Sequence, residues 1–149
     1  MGRYSVEMNR TASATLSVGS ITADATRPRR GKLYFLSFGS EATAADGGWL
    51  LQVQRCTAAG TSTAVTPQAI DPGDAATEAD AGENHTVDAT VTANAILLSV
   101  PLNQRNTLLW YAAPGGEIVY PATASNGLAV RTPTASLVAV TATAHFEEQ

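Results

Sequence analysis

SLVAVTATAHF, residues 136–146, decides the fold class. Val138, Val140, Ala142, Ala144 and Phe146 fall on one side, and Thr141, Thr143 and His145 fall on the other. Side chains of an extended chain point alternately to opposite faces, so a period of two marks a strand with one buried face. Two further stretches share this period. RYSVEM (3–8) sets Tyr4, Val6 and Met8 against Arg3, Ser5 and Glu7. TVDATVTA (86–93) sets Val87, Ala89, Val91 and Ala93 against Thr86, Asp88, Thr90 and Thr92.

KLYFLSF (32–38), WLLQV (49–53), AILLSV (95–100) and TLLWYA (107–112) are apolar on both sides. They are predicted as central strands, or as strands whose second face a partner covers; Leu36, Phe38, Leu51, Leu109 and Tyr111 carry that expectation. TLSV (15–18), EIVY (117–120) and GLAVR (127–131) are shorter candidates. Arg27-Pro28, Gly47-Gly48, Pro72-Gly73, Pro114-Gly115-Gly116, Asn126-Gly127 and Thr132-Pro133 punctuate the runs. About ten short strands so spaced predict an all-β fold, an antiparallel β-sandwich of jelly-roll-like kind. With 149 residues, no repeat and no linker, the expected organisation is a single domain spanning 1–149. Helix signals are weak: SEATAADGG (40–48), capped by Ser40 and stopped at Gly47, and the Ala-rich stretch after Asp74.

AIDPGDAATEADAGENH (69–85) interrupts this pattern. Asp71, Asp74, Glu78, Asp80 and Glu83 stand in it without a basic residue, and it reads as an acidic surface loop over 68–86. The net charge of −4 hides an asymmetry. Arg3, Arg10, Arg27, Arg29, Arg30 and Lys32 crowd the first quarter, whereas no cation occurs between Arg55 and Arg105. Such a chain has one face for an acidic surface and another for a basic one. Asp71, Asp74 and Asp80 are therefore candidate partner-binding residues, as are Arg3, Arg27, Arg29 and Arg30. One expectation sets the acidic loop against the Arg27–Arg30 segment of a neighbouring copy; the other leaves it solvated. Nucleic acid is not an expected partner, because the chain is acidic and RPRR lacks interleaved aromatic residues. The longest apolar runs are too short to span a bilayer, and the first residues lack the apolar stretch of a signal peptide.

No catalytic, metal or cofactor signature emerges. Cys56 is the only cysteine, so no intrachain disulfide forms, and its strand setting suggests a buried thiol. His85, His145 and Cys56 have no zinc spacing. The acids of 69–85 lack the close alternate placement of a calcium loop. There is no nucleophile elbow, phosphate-binding loop or dinucleotide fingerprint. Both histidines are expected at the surface, His85 beside a polar loop and His145 on the outward side of its strand. No cofactor, metal or small-molecule substrate is expected, and the chain is not expected to be an enzyme. Binding remains. Trp49 and Trp110 fill the core on the simplest reading, and an exposed one would anchor a partner. Strands apolar on both faces in one sandwich predict an oligomer.

Three segments carry a resemblance through their order: RCTAAGTSTAVTPQAIDPGDAA (55–76), SNGLAVR (125–131) and a terminal strand ending in FEE (146–148). With the basic first strand, they resemble a family of small all-β proteins of tailed bacteriophages and prophages, the capsid decoration or cement proteins. The likeness covers most of the chain. It implies a structural virion protein that binds the major capsid protein on the outer surface of an icosahedral head, typically as a homotrimer. The virion's outer surface would be its location after synthesis in the host bacterial cytoplasm, where a fold without disulfides is in keeping. A receptor- or glycan-binding jelly-roll domain and a tail or baseplate β-sandwich are the alternatives.

Overall fold

A computed structural model describes residues 1–134 and 138–149. The strands are β1 (Gly2–Thr11), β2 (Gly19–Thr22), β3 (Gly31–Ser40), β4 (Gly48–Ala58), β5 (Thr61–Val65) and β6 (Gln68–Ala69). They continue with β7 (Asp80–Val87), β8 (Thr90–Asn103), β9 (Leu108–Tyr111), β10 (Ile118–Tyr120), β11 (Gly127–Arg131) and β12 (Ala139–Glu148). Two antiparallel sheets pack face to face, as the alternating pattern requires. The first runs β10-β3-β12-β1-β6, with β9 also on β3; the second runs β5-β7-β2-β11-β4-β8.

Alternation builds the core. β12 buries Val140, Ala142, Ala144 and Phe146, and β1 buries Tyr4, Val6 and Met8 on the same inner face. Phe146 packs on Tyr4 at 5.5 Å between ring centroids and on Tyr120 at 6.5 Å. At the other end Phe38 tilts against Trp49 at 5.2 Å. The start of the predicted last strand, Ser136 and Leu137, lies outside the described residues. In the second sheet β11 is so closely flanked that a Cβ on Gly127 would collide with the backbone of Ile21 and Thr22. Only glycine fits there.

Several local expectations are corrected. The described residues contain no helix. Residues 41–47 form a loop, and Ser40 donates its hydroxyl to the Gln104 carbonyl at 2.6 Å rather than capping a helix. Neither Ala-rich segment has an apolar stripe to bury, so neither gains from coiling. TLSV is not a strand; β2 starts at Gly19, and before it the Val18 amide still bonds the Val130 carbonyl while the Ser17 amide is taken by Asp88. TVDATVTA is not one strand either. β7 ends at Val87 and β8 begins at Thr90, leaving Val87 exposed while Ala89 packs with Cys56 and Ala129.

That break has a structural purpose. β4 pairs with β8 and β5 pairs with β7, so β4-β5 and β7-β8 form one antiparallel ribbon with a bend in each member. The bend places its halves on opposite sides of the β2-β11 pair.

The acidic loop is shorter than 68–86. β6 and β7 claim its two ends, and the loop proper spans 70–79. It caps one end of the sandwich. Tyr4 donates its hydroxyl to the Ala75 carbonyl at 2.9 Å, and the Glu78 amide donates to the inward-facing Glu148 carboxylate at 3.1–3.2 Å. Glu148 continues the buried side of β12, and the loop provides the donor that a desolvated carboxylate needs.

Candidate functional site

The outer face of the first sheet carries a cluster of rings. Phe146 pairs with Leu33 while His145 pairs with Phe35, so Tyr34 is one residue too many and β3 bulges there. A bulge breaks the strict alternation and re-aims side chains. Leu33 and Leu36 therefore both point into the core, and Tyr34 and Phe35 are both left half-buried between them. Across the sheet the register aligns Ser5, His145, Phe35 and Tyr111 in one row. Phe35 lies 4.6 Å from the His145 ring and 4.8 Å from the Tyr111 ring, with Tyr34 6.1 Å from His145. Burial holds the His145 pKa below the usual value, which favours the neutral ring.

The row runs to an edge. Among the described residues β9 pairs only with β3, so its far side is unpaired there, and it exposes Tyr111 by 68% and Leu109 by 60%. On the second sheet β8 is likewise an edge strand, with Ile96 45% and Leu97 36% exposed. A groove of about 620 Å³ lined by Trp49, Leu50, Pro101 and Leu102 continues along it. The link from Gln104 to Thr107 joins β8 to β9, so both open edges belong to one side of the sandwich. Apolar side chains on unpaired edges are what proteins usually avoid unless something covers them.

Other candidate residues fall elsewhere. Trp49 is a core residue, not an anchor, and Trp110 is half-buried against the core opposite Leu36. Leu36, Phe38 and Leu51 are fully interior, whereas Leu109 and Tyr111 reach the surface, as Ile96 and Leu97 do on β8. Arg3, Arg27, Arg29 and Arg30 are exposed. Arg27 pairs with Glu78 of its own chain at 2.7 Å, and Arg29 lines a cleft of about 420 Å³ with Asp74, Glu78 and Glu148. Acid and base therefore meet within one chain at Arg27 and Glu78. Asp71 is spent on the Gly73 amide, and Asp74 lies 3.4 Å from the Arg3 amide. Asp80 opens β7, where burial and nearby Asp24 raise its pKa.

His85 overturns its surface assignment. It is 1% exposed, in the irregular part of β7 where Asn84–Thr86 face the single residue Ser62, with Nε2 3.1 Å from the Ser20 hydroxyl and Nδ1 unpaired. A serine beside a histidine suggests nucleophilic chemistry, but Ser20 is also 1% exposed. The nearby Asp88 carboxylate is committed to Ser17 and Arg131 instead. This pair ties strands together. Among the described residues no cluster of histidine, cysteine and carboxylate groups suits a metal ion. Cys56 is buried, and burial pushes its thiol up to about 12.

The buried imidazole makes stability depend on acid. Burial lowers the His85 pKa, so below about 6.5 the unfolded chain binds a proton that the folded chain resists. Stability is full above that pH and falls as pH drops toward the folded value, by at most about 1.4 kcal/mol per pH unit for one proton. Urea denaturation of wild type and His85→Gln from pH 7.5 to 5 checks this. The variant should show the shallower decline; parallel declines would refute the assignment.

No family model matches the chain, and no curated protein matches it in sequence.

Proposed function

We propose that this is a structural virion protein, a capsid decoration protein that clamps the outer surface of an icosahedral phage head by binding the major capsid protein, as an oligomer that the resemblance makes a trimer. The observation that carries the reading is the aromatic row ending at the open β9 edge. An extended surface of rings with a free ladder edge suits another protein better than it suits a small molecule. Tyr111 and Leu109 would be its anchors, and the exposed arginines would meet acidic patches of the shell.

Adding purified protein to heads that lack it, and measuring what sediments with them, tests the proposal. Tyr111→Ala should weaken binding by about 2 kcal/mol, roughly thirtyfold, as expected for a central aromatic anchor. Heads that take up wild type and variant equally would remove β9 from the interface, and heads that take up neither would end the capsid reading.

One observation favours a second reading. The exposed Tyr111 ring beside Phe35 is also a stacking surface for a sugar, as in a glycan-binding domain. A glycan array run with and without calcium separates the two.

A further inference from the structure

One end of the sandwich holds a carboxylate between two phenols. The strand register sets Tyr120, Gly31, Glu148 and Gly2 in one inward-facing row across β10, β3, β12 and β1. A tyrosine fills the space beside each glycine: the tip of the Tyr120 ring stands where a Cβ on Gly31 would, and the Tyr4 hydroxyl stands where one on Gly2 would. Both hydroxyls therefore end beside Glu148. Burial first, and then the charge of Glu148, raises the pKa of both tyrosines.

Glu148 is 5% exposed, and among the described residues no cation lies within ion-pair distance of it. Its donor is the Glu78 amide, which stands almost evenly between the two oxygens at 3.2 and 3.1 Å. An ionised carboxylate offers about four lone-pair positions, so acceptor capacity remains on both oxygens. The Tyr4 hydroxyl gives its proton to the Ala75 carbonyl and keeps its own oxygen free to accept. The Tyr120 hydroxyl is fully buried and has no partner among the described residues. Leaving a buried hydroxyl unpaired is costly, and a ligand that pairs with it recovers that cost. The cleft of about 420 Å³ that Arg29 lines leads to these groups, with Tyr4, Ala75, Ala76 and Glu148 in its wall.

We infer that this cleft binds a primary ammonium group, carried by a small amine or by a lysine side chain, with Glu148 as its counter-ion. An ammonium has three N–H donors, and the oxygens of Glu148, Tyr4 and Tyr120 are the acceptors for them. The Glu78 amide argues against a guanidinium. It already holds the place between the two carboxylate oxygens that a bidentate fork needs, and it leaves the lateral lone pairs to a compact point charge. The charges agree. Arg27 neutralises Glu78, and Arg29 offsets one of Asp74 and Glu148, so a single negative charge remains for a monocation. A metal ion does not fit, because no metal-binding cluster forms among the described residues. The Tyr4 ring with Ala75 and Ala76 offers the methylene stem of an amine an apolar wall. The inference does not rest on the capsid reading, and its test involves no capsid.

An NMR titration of the labelled full chain with n-butylammonium chloride tests it. The Glu78 amide is the reporter, since its acceptor takes on a further donor. Its resonance should shift and saturate, while sodium chloride at equal ionic strength leaves it in place, and n-butylguanidinium should bind more weakly. Glu148→Gln keeps an acceptor for the Glu78 amide and should weaken n-butylammonium binding by roughly tenfold or more. Tyr120→Phe keeps the ring against Phe146 and should weaken it by roughly three- to tenfold. Nα-acetyl-lysine amide separates the two sources: if it binds as n-butylammonium does, the ligand is a lysine side chain, and if it is shut out, the ligand is a free amine. A Glu78 resonance that n-butylammonium does not saturably move, equal affinity for the guanidinium, or an affinity that both variants leave unchanged would overturn the inference.

Discussion

Phe146→Ala is expected to destabilise the fold by about 3–5 kcal/mol, the cost of a large cavity in a rigid core. The ring is fully buried and contacts Tyr4 on one side and Tyr120 on the other. Neither neighbour can move in freely. Tyr4 is held by the bond from its hydroxyl to Ala75, and Tyr120 packs against Gly31, where no side chain separates ring from backbone. The void therefore persists. In a domain stabilised by roughly 5–15 kcal/mol this is a large share of the total. Guanidinium denaturation measures it, and a loss below about 1 kcal/mol would mean that the end of the sandwich collapses onto the gap.

Asp88→Ala should cost about 3 kcal/mol by a different route. The carboxylate accepts the Ser17 amide at 2.8 Å and the Ser17 hydroxyl at 2.6 Å, and its other oxygen pairs with Arg131 at 3.0 Å. Ser17 is wholly buried, so two donors would be left in a dry site, and Arg131 would keep, among the described residues, its bond to Gln54. Part of the pair remains in contact with water, which places the loss below that of a fully buried ion pair. Asp88→Asn tells the contributions apart, because an amide oxygen can still accept from Ser17 but carries no charge for Arg131. It should recover about half of the loss; an alanine variant as stable as wild type would show that water replaces the carboxylate.

Much of the architecture was legible in the chain. β12 keeps unbroken alternation because it has one dry face and one wet face along its whole length, and β1 does the same from Arg3 to Asn9. The bulge at Tyr34 was not legible. It depends on the register of β12 against β3, and nothing local distinguishes KLYFLSF from a regular strand buried on both sides. The aromatic row follows from that one extra residue, so Tyr34, Phe35 and His145 were missed as a group, whereas Leu109 and Tyr111 stood out through their apolar second face. His85 was misread for a similar reason. Its neighbours in sequence are polar, but β7 is irregular there, with Asn84–Thr86 opposite the single residue Ser62 and Asn84 at a positive φ, and His85 meets Ser20, a residue distant in the chain. The acidic stretch misled in a third way. Its composition is that of a solvated loop, yet residues 80–83 are held by ladders to β2 and β5, where backbone groups rather than side chains do the pairing.

The first and last strands lie side by side over their full length, with Gly2 opposite Glu148. A tension applied between these two positions would draw the strands apart from one end, breaking their cross-links in succession instead of shearing them together. The molecule is thus mechanically soft along that direction, and an experimenter pulling from its tips should see β1 and β12 unzip at low force before the remaining strands give way.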